Sequence, residues 1–504
     1  MTWLKLLNEK RRKNKAQKEN DFKNSDKNQT SVEHNDTRTE IERDYDRILF
    51  STPVRRLADK TQVFPLDKND SVRTRLTHSH EVSNLARSIG NALVFHSNTF
   101  EATQENTDNI KRNIPSLLAA IGLAHDLGNP PFGHQGEAAI RYWFDKNQKF
   151  VFSPLKYQKN ASQYTKDFLA FEGNAQTFRL VTRLQLLNDD YGLNLTYATL
   201  AALLKYPVAS DQTDKNHASK KKHGFFASEQ YIVEEVHKET GLSLGHRHAL
   251  TYIMEACDDI AYAVLDAEDT VKKGLASFSD LIAYIESSTG EDTIIDSVKE
   301  NSLEKYALHK KQLEYLSPSE LNDISMQYFR VYSISEMIKQ VRKTFILKQE
   351  QIINGDLNKS LLDESKAKNL CEALKKFSFL HAYRHRSVLE IELRGHNIIL
   401  DLMDFFWAAI RDRENDDPKS KRQNPFTRYV YERISKNYRR IFENPTDKDS
   451  NLPLRYRECL LLTDMISGMT DSFAIELHNE LLPLKGNLNV QHFLQDAPCN
   501  NETN

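Results

Sequence analysis

The sequence predicts a mainly α-helical protein, and three observations carry that expectation. Apolar residues recur at helical spacing through most of the 504 residues, and alternating β patterns are few and short. Only 16 residues are glycine, which is sparse for a sandwich or a doubly wound fold. The mean hydropathy of −0.63 is polar, yet 25 Phe and 20 Tyr still supply a sizeable core.

Taken in order, Trp3, Leu4, Leu6 and Leu7 make a short amphipathic start. Residues 9–45 are almost wholly charged or amide-bearing and are expected to form a mobile or loosely docked arm. Leu76, Val82, Leu85, Ala86 and Ile89 then share one helical face, as do Leu117, Leu118, Ile121 and Ala124. The segments 250–272, 326–350, 362–378 and 457–483 read as further helices. Residues 388–393 (VLEIEL) alternate like a strand and could equally be helical. The Lys-rich run 219–224 and the segment 411–425 read as exposed loops. There is no internal repeat.

Charge and cysteine usage narrow the class. Sixty-nine Lys plus Arg against 71 Asp plus Glu exclude a globally basic nucleic-acid coat, though not a local basic groove. No apolar run approaches the roughly 20 residues of a membrane span. The start MTWLKLLNEKRRKNK has too short an apolar stretch to be a secretory signal. Cys257, Cys371, Cys459 and Cys499 are scattered without a CxxC pair, so a reducing, cytoplasmic setting is expected.

Four segments concentrate ligand-type side chains: RTRLTHSHEV at 73–82, IGLAHDLG at 121–128, NPPFGHQGE at 129–137 and EACDDIAY at 255–262. His125-Asp126 follows an apolar helix directly, so two ionisable groups meet the core. Burying both without partners costs several kcal/mol, which calls for a cation or a tight polar network. The order His, His-Asp, Asp suits one site of two imidazoles and two carboxylates holding a divalent metal such as Mn, Fe, Ni or Mg. Pro130-Pro131 must break the helix and Gly133 permits a new start, which puts His134 and Glu137 on one face at i and i+3. That is the arrangement of an oriented general acid/base. Arg75 shares the face of His78, three residues away, and Asp258, Tyr262 and Asp266 form one polar stripe. A metal, an activatable water, a positioned His and nearby cations describe phosphoester or phosphoanhydride hydrolysis.

These segments resemble the HD-domain metal-dependent phosphohydrolases, in the spelling of the deoxyguanosine triphosphate triphosphohydrolase family. RLADKTQVFPL at 56–66, TRLTHS at 74–79, AHDLGNPPFGHQGE at 124–137, FEGNAQTFR at 171–179, LKYP at 204–207, EACDDIAYAVLDAED at 255–269 and SGMTDSFA at 467–474 run in family order. The resemblance implies an HD-type helical core over 46–275, after an arm at 1–45, with further C-terminal helices over 276–490 completing the pocket and subunit contacts, and a tail at 491–504. It implies His78, His125, Asp126 and Asp258 as ligands of Mg²⁺ or Mn²⁺, and His134 with Glu137 as the catalytic pair. Arg75, Lys205, Tyr206 and Lys222 would contact phosphates, and Gln62, Asn174, Tyr262 and Asp266 would line the deoxynucleoside pocket. The implied reaction is hydrolysis of dGTP, and of other dNTPs in some members, to the deoxynucleoside and tripolyphosphate by attack at the α-phosphorus. Members assemble as oligomers, so a homo-oligomer is implied, and single-stranded DNA activates some of them.

Departures from the family spelling are small: Cys257 beside Asp258, His80 within THSHEV, and Val208 after LKYP. His80 is expected to be a surface histidine, and Cys257 to face away from the ligands. The basic, aromatic run 428–440 suits either a subunit interface or a phosphate or single-stranded DNA groove. Two further readings remain: an HD phosphohydrolase for monophosphates, cyclic nucleotides or guanosine tetraphosphate, and a silent nucleotide or DNA-binding regulator. The ligand set and the His134/Glu137 pair weigh against the silent one.

Overall fold

A computed structural model describes residues 2–15, 37–64, 72–96, 100, 107–185, 190–312, 315–486 and 489–493. Residues 16–36 of the arm, Pro65 and Leu66, the tail from 494 and Cys499 lie outside the described residues.

Among the described residues the architecture is helical, and the only β pairings are two isolated bridges, Arg11 with Thr196 and Thr61 with Thr74. Helices α1 (Trp3–Leu6) and α2 (Glu40–Leu49) open the chain. Thr39 accepts from Glu42 N while the Glu42 side chain accepts from Thr39 N, which satisfies two amides at the start of α2. Helices α3 (Arg75–Phe95) and α4 (Thr107–Ala124) pack closely through small residues. A Cβ on Gly122 would stand 2.7 Å from Ser83 Cα, and Ser83 Oγ donates to Ala119 O at 2.8 Å. Helix α5 (Gly133–Val151) restarts after the Pro130-Pro131 break. Helix α6 (Gly173–Arg179) follows the FEGN turn.

Helix α7 (Ala249–Lys272) is buried on almost every side and packs against α3, α4, α8 (Pro318–Asn354) and α9 (Lys368–Ser378). Residues 388–393 resolve as helix, within α10 (Arg386–Arg411), because Val388 and later Ile398, Ile399, Leu402 and Met403 bury one helical stripe. The segment 457–483 is two helices, α11 (Leu454–Ser467) and α12 (Asp471–Leu484), because Thr470 caps a new start by accepting from Phe473 N. One apolar core runs without a break from Trp3 to Leu481.

The start of the arm differs from expectation. Trp3 and Leu6 are buried, and the Trp3 ring meets Phe100 edge-on at 4.8 Å. Arg11 is buried against Glu40 and Asp44, each at 2.7 Å, and the Arg12 guanidinium lies near the rings of Tyr191 and Tyr231. Residues 37–45 belong to α2 and its approach, so the arm is docked at both described ends. The Lys-rich run also differs, since Ser219, His223 and Gly224 are buried.

Candidate metal and phosphate site

The first turn of α3 delivers Arg75 and His78, the turn after α4 delivers His125 and Asp126, and the middle of α7 delivers Asp258. His78 Nε2 lies 3.2 Å and His125 Nε2 3.4 Å from the same oxygen, Asp258 Oδ1. One ligand atom from each of these three residues falls within 4.8 Å of the others. His125 Nδ1 is 2.7 Å from Gly122 O, so it carries the proton and Nε2 presents its lone pair to the cluster.

That Nε2 is buried and has no hydrogen-bond partner, an orphaned acceptor of the kind a cation satisfies. The charges agree. Burial opposes protonation of His125, yet Asp126 and Asp258 hold its pKa up at about 9, so the two carboxylates draw either a proton or a metal cation onto the same Nε2. Burial likewise opposes ionisation of Asp258, and Lys205 with His125 holds its carboxyl well below the usual range. The set of imidazole nitrogen and carboxylate oxygen fits a divalent transition-metal or magnesium-type ion. Asp126 stands beside the cluster, with Oδ1 3.5 Å from His125 Nε2. Its oxygens accept from Arg75 Nη1 at 2.5 Å and Asn129 Nδ2 at 2.7 Å. Cys257 is fully buried and outside the cluster, and His80 is exposed.

Around the cluster the sequence-predicted residues fall into three groups. His134 and Glu137 meet on α5, Nδ1 to Oε2 at 3.2 Å, with the imidazole 74% exposed and the carboxylate buried. The other Glu137 oxygen accepts from Gly173 N at 2.7 Å. Burial opposes ionisation of Glu137, but the His134 hydrogen bond and its charge bring its pKa below the ordinary value. The FEGN turn therefore anchors the carboxylate that holds the imidazole.

Three of the four expected phosphate contacts are cationic. Arg75 faces Asp126, Lys205 Nζ lies 3.1 Å from Asp258 Oδ2, and Lys222 Nζ lies 2.8 Å from Glu172 Oε2. Tyr206 is buried, with the Arg247 guanidinium 5.7 Å from its ring. Of the expected nucleoside residues, Tyr262 stacks on Tyr383 at 6.2 Å and 12°, and Asp266 is buried and accepts a short hydrogen bond from the Tyr383 hydroxyl. Gln62 Oε1 is buried without a partner, and Asn174 is half-buried in the first turn of α6.

Two residues joined to these segments were given no role by the sequence, although Lys60 lies within RLADKTQVFPL. Tyr383 ends a short π-helical segment (Phe379–Tyr383) between α9 and α10, too short to show a pattern of its own. Lys60 is buried and donates to Asn129 O at 2.5 Å and Ser467 O at 2.8 Å. Its partners lie 69 and 407 residues away, beyond any local spacing rule.

Among the described residues the protein is a helical one whose helices bring two imidazoles and a carboxylate to one point, with Arg75 and Lys205 close by, a donor set that fits a divalent ion. No family model matches the chain. The chain is similar to a deoxyguanosinetriphosphate triphosphohydrolase-like protein of Listeria monocytogenes, at 38% identity over 95% of this chain and 99% of the relative. It is also 31% identical to the deoxyguanosinetriphosphate triphosphohydrolases of Klebsiella pneumoniae and Serratia proteamaculans, over 88% of this chain and 94% of each relative. The chain belongs to the deoxyguanosinetriphosphate triphosphohydrolase family.

Proposed function

We propose that this protein hydrolyses dGTP, and other dNTPs to a lesser degree, to deoxynucleoside and tripolyphosphate, and so controls deoxynucleotide pools. The observation that supports this most directly is a His-Glu pair, braced by a backbone amide, beside a convergent His-His-Asp cluster. His78, His125, Asp126 and Asp258 would hold Mg²⁺ or Mn²⁺. When bound, the ion supplies Lewis-acid polarisation of phosphate oxygens and lowers the pKa of water.

The chain's own residues do the rest. The exposed His134 imidazole takes the proton of the attacking water through Nε2, while Glu137 holds Nδ1–H and stabilises the imidazolium that forms. The water attacks the α-phosphorus, the P–O5′ bond breaks, and the nucleoside leaves with the 5′-oxygen protonated. Arg75, Lys205 and Lys222 offset charge on the departing tripolyphosphate, and Tyr206 walls that end of the cleft. Gln62, Asn174, Tyr262 and Asp266 position the sugar, with Tyr262 packed where a ribose 2′-hydroxyl would have to fit.

Incubation with each dNTP and NTP plus Mg²⁺ or Mn²⁺, resolving nucleoside, monophosphate and tripolyphosphate, tests the reading. In ¹⁸O-water the label belongs in tripolyphosphate. Release of dGMP or dGDP, or label in the nucleoside, overturns it.

A further inference from the structure

The helix that carries His134 begins from an unusual backbone. Phe132 has φ of 60° and Gly133 φ of 55°, so two successive residues occupy the left-handed region. Glycine adopts it freely; for phenylalanine it is strained and persists only when surroundings enforce it. Both restraints on Phe132 come from the far end of the chain. Its amide donates to Asp471 Oδ1 at 2.9 Å, across 339 residues. Its ring lies where α10 offers Gly395, since a Cβ there would stand 2.5 Å from Phe132 Cγ.

Asp471 is buried and spends its other oxygen on Thr61, accepting from the amide at 2.9 Å and from the hydroxyl by a short hydrogen bond. It thus ties the segment before Gln62, the turn before His134 and the first turn of α12 to one carboxylate. Nothing in this geometry touches the cleft directly.

We propose that Asp471 is a positioning residue for His134: by holding the Phe132 amide it fixes the left-handed turn from which α5 departs, and hence the direction of the imidazole. This gives the late SGMTDSFA motif a task in the reaction, and it rests on the reading of His134 as the general acid/base. The coupling is short. His134 lies two residues beyond Phe132, and Glu137 is pinned independently to Gly173, so a released turn shifts His134 relative to its own partner.

The test is a double-mutant cycle between Asp471→Ala and His134→Ala, run on the full chain with kcat, KM, helical circular dichroism and bound metal measured for each, and with Asp471→Asn alongside. Misplacement of a reacting group by about 1 Å costs on the order of 100-fold. Asp471→Ala in the wild-type background should therefore lower kcat by up to about 100-fold, with KM changed less than about twofold and metal content unchanged. In the His134→Ala background the same substitution should cost less than about twofold, because the group it positions is gone. Asp471→Asn keeps an acceptor for the Phe132 amide and should recover most of the loss.

Equal losses from Asp471→Ala in both backgrounds, a loss of metal, or an Asn variant as impaired as Ala each overturn the proposal. So does loss of helical structure in both Asp471 variants, which would make the residue purely architectural. If His134→Ala alone leaves turnover intact, the general acid/base reading fails, separately from the role of Asp471.

Discussion

At the scale of single residues, exposure and anchoring separate side chains that a motif lists together. His134 is exposed while Glu137 is buried and held by a backbone amide. The positioned imidazole is expected to contribute roughly two to four powers of ten to turnover. His134→Ala should lose that much while metal content, measured by plasma emission, stays level with wild type; a metal-free variant would place the residue among the ligands instead. Asp258 and Asp259 are neighbours with different surroundings. Asp258 touches both imidazoles, whereas Asp259 turns to α9, where its carboxylate meets Lys375 Nζ at 2.6 Å. Hard divalent ions depend on carboxylate oxygen. Asp258→Ala should abolish metal retention in equilibrium dialysis and with it activity, and Asp259→Ala should retain both. A metal-free Asp259→Ala would move the assignment by one residue. The segments bearing His78, His125 and Asp258 were legible in sequence because each is a local cluster of ligand types. Tyr383 was not, because its contact with Asp266 is made across 117 residues by a phenol at the end of a short π-helical segment.

Among elements, helical faces were the most legible feature and charged stretches the least. The apolar stripe beginning at Leu76 became α3, and the one ending at Ala124 became α4, because burial of a 3.6-residue stripe is a local pattern. The run from Glu9 to Arg12 looked like a solvated arm because composition shows charge without showing its partners. Those partners are distant: Arg11 is enclosed by Glu40, Asp44 and the carbonyl of Asn194. Asp44 is the hub of this junction. It is fully buried and accepts from Arg11 Nη1 at 2.7 Å, Thr196 N at 2.9 Å, Thr196 Oγ1 at 2.7 Å and Thr199 Oγ1 at 2.6 Å. Removing one partner of a buried pair leaves an uncompensated charge, and such losses cost about 3–5 kcal/mol. Asp44→Ala should therefore lower the urea-unfolding free energy by about that amount. A loss below about 1 kcal/mol would show Arg11 finding solvent when its partner is removed, as an exposed pair would.

Across the whole molecule, the N-terminal end of the chain is tied to α7 by a histidine whose charge state matters. His248, at the N-cap of α7, accepts from Leu250 N through Nδ1, and its Nε2 lies 3.1 Å from the carbonyl of Leu6, the last residue of α1. Only the neutral ring with its proton on Nε2 serves both contacts; a second proton on Nδ1 would face the Leu250 amide. Burial, only partly offset by the Leu6 carbonyl, pushes the His248 pKa down to about 4, below its ordinary 6.5. The folded state thus binds this proton less readily than the unfolded chain. The stability His248 contributes is complete above pH 6.5 and is lost as pH falls from 6.5 toward 4, at about 1.4 kcal/mol per pH unit. Replacing His248 with Gln, which keeps an acceptor and a donor but no titrating nitrogen, should cancel that slope. Melting curves of wild type and His248→Gln between pH 7.5 and 4.5 should therefore converge as the pH falls, since only the wild type loses this contribution. The loss should begin at α1: limited proteolysis near Leu7 should speed up at pH 5 in wild type before global unfolding, and by much less in the Gln variant. Parallel melting curves across that window would mean that His248 stays neutral for reasons shared with the unfolded chain, or that the ring turns to solvent when protonated.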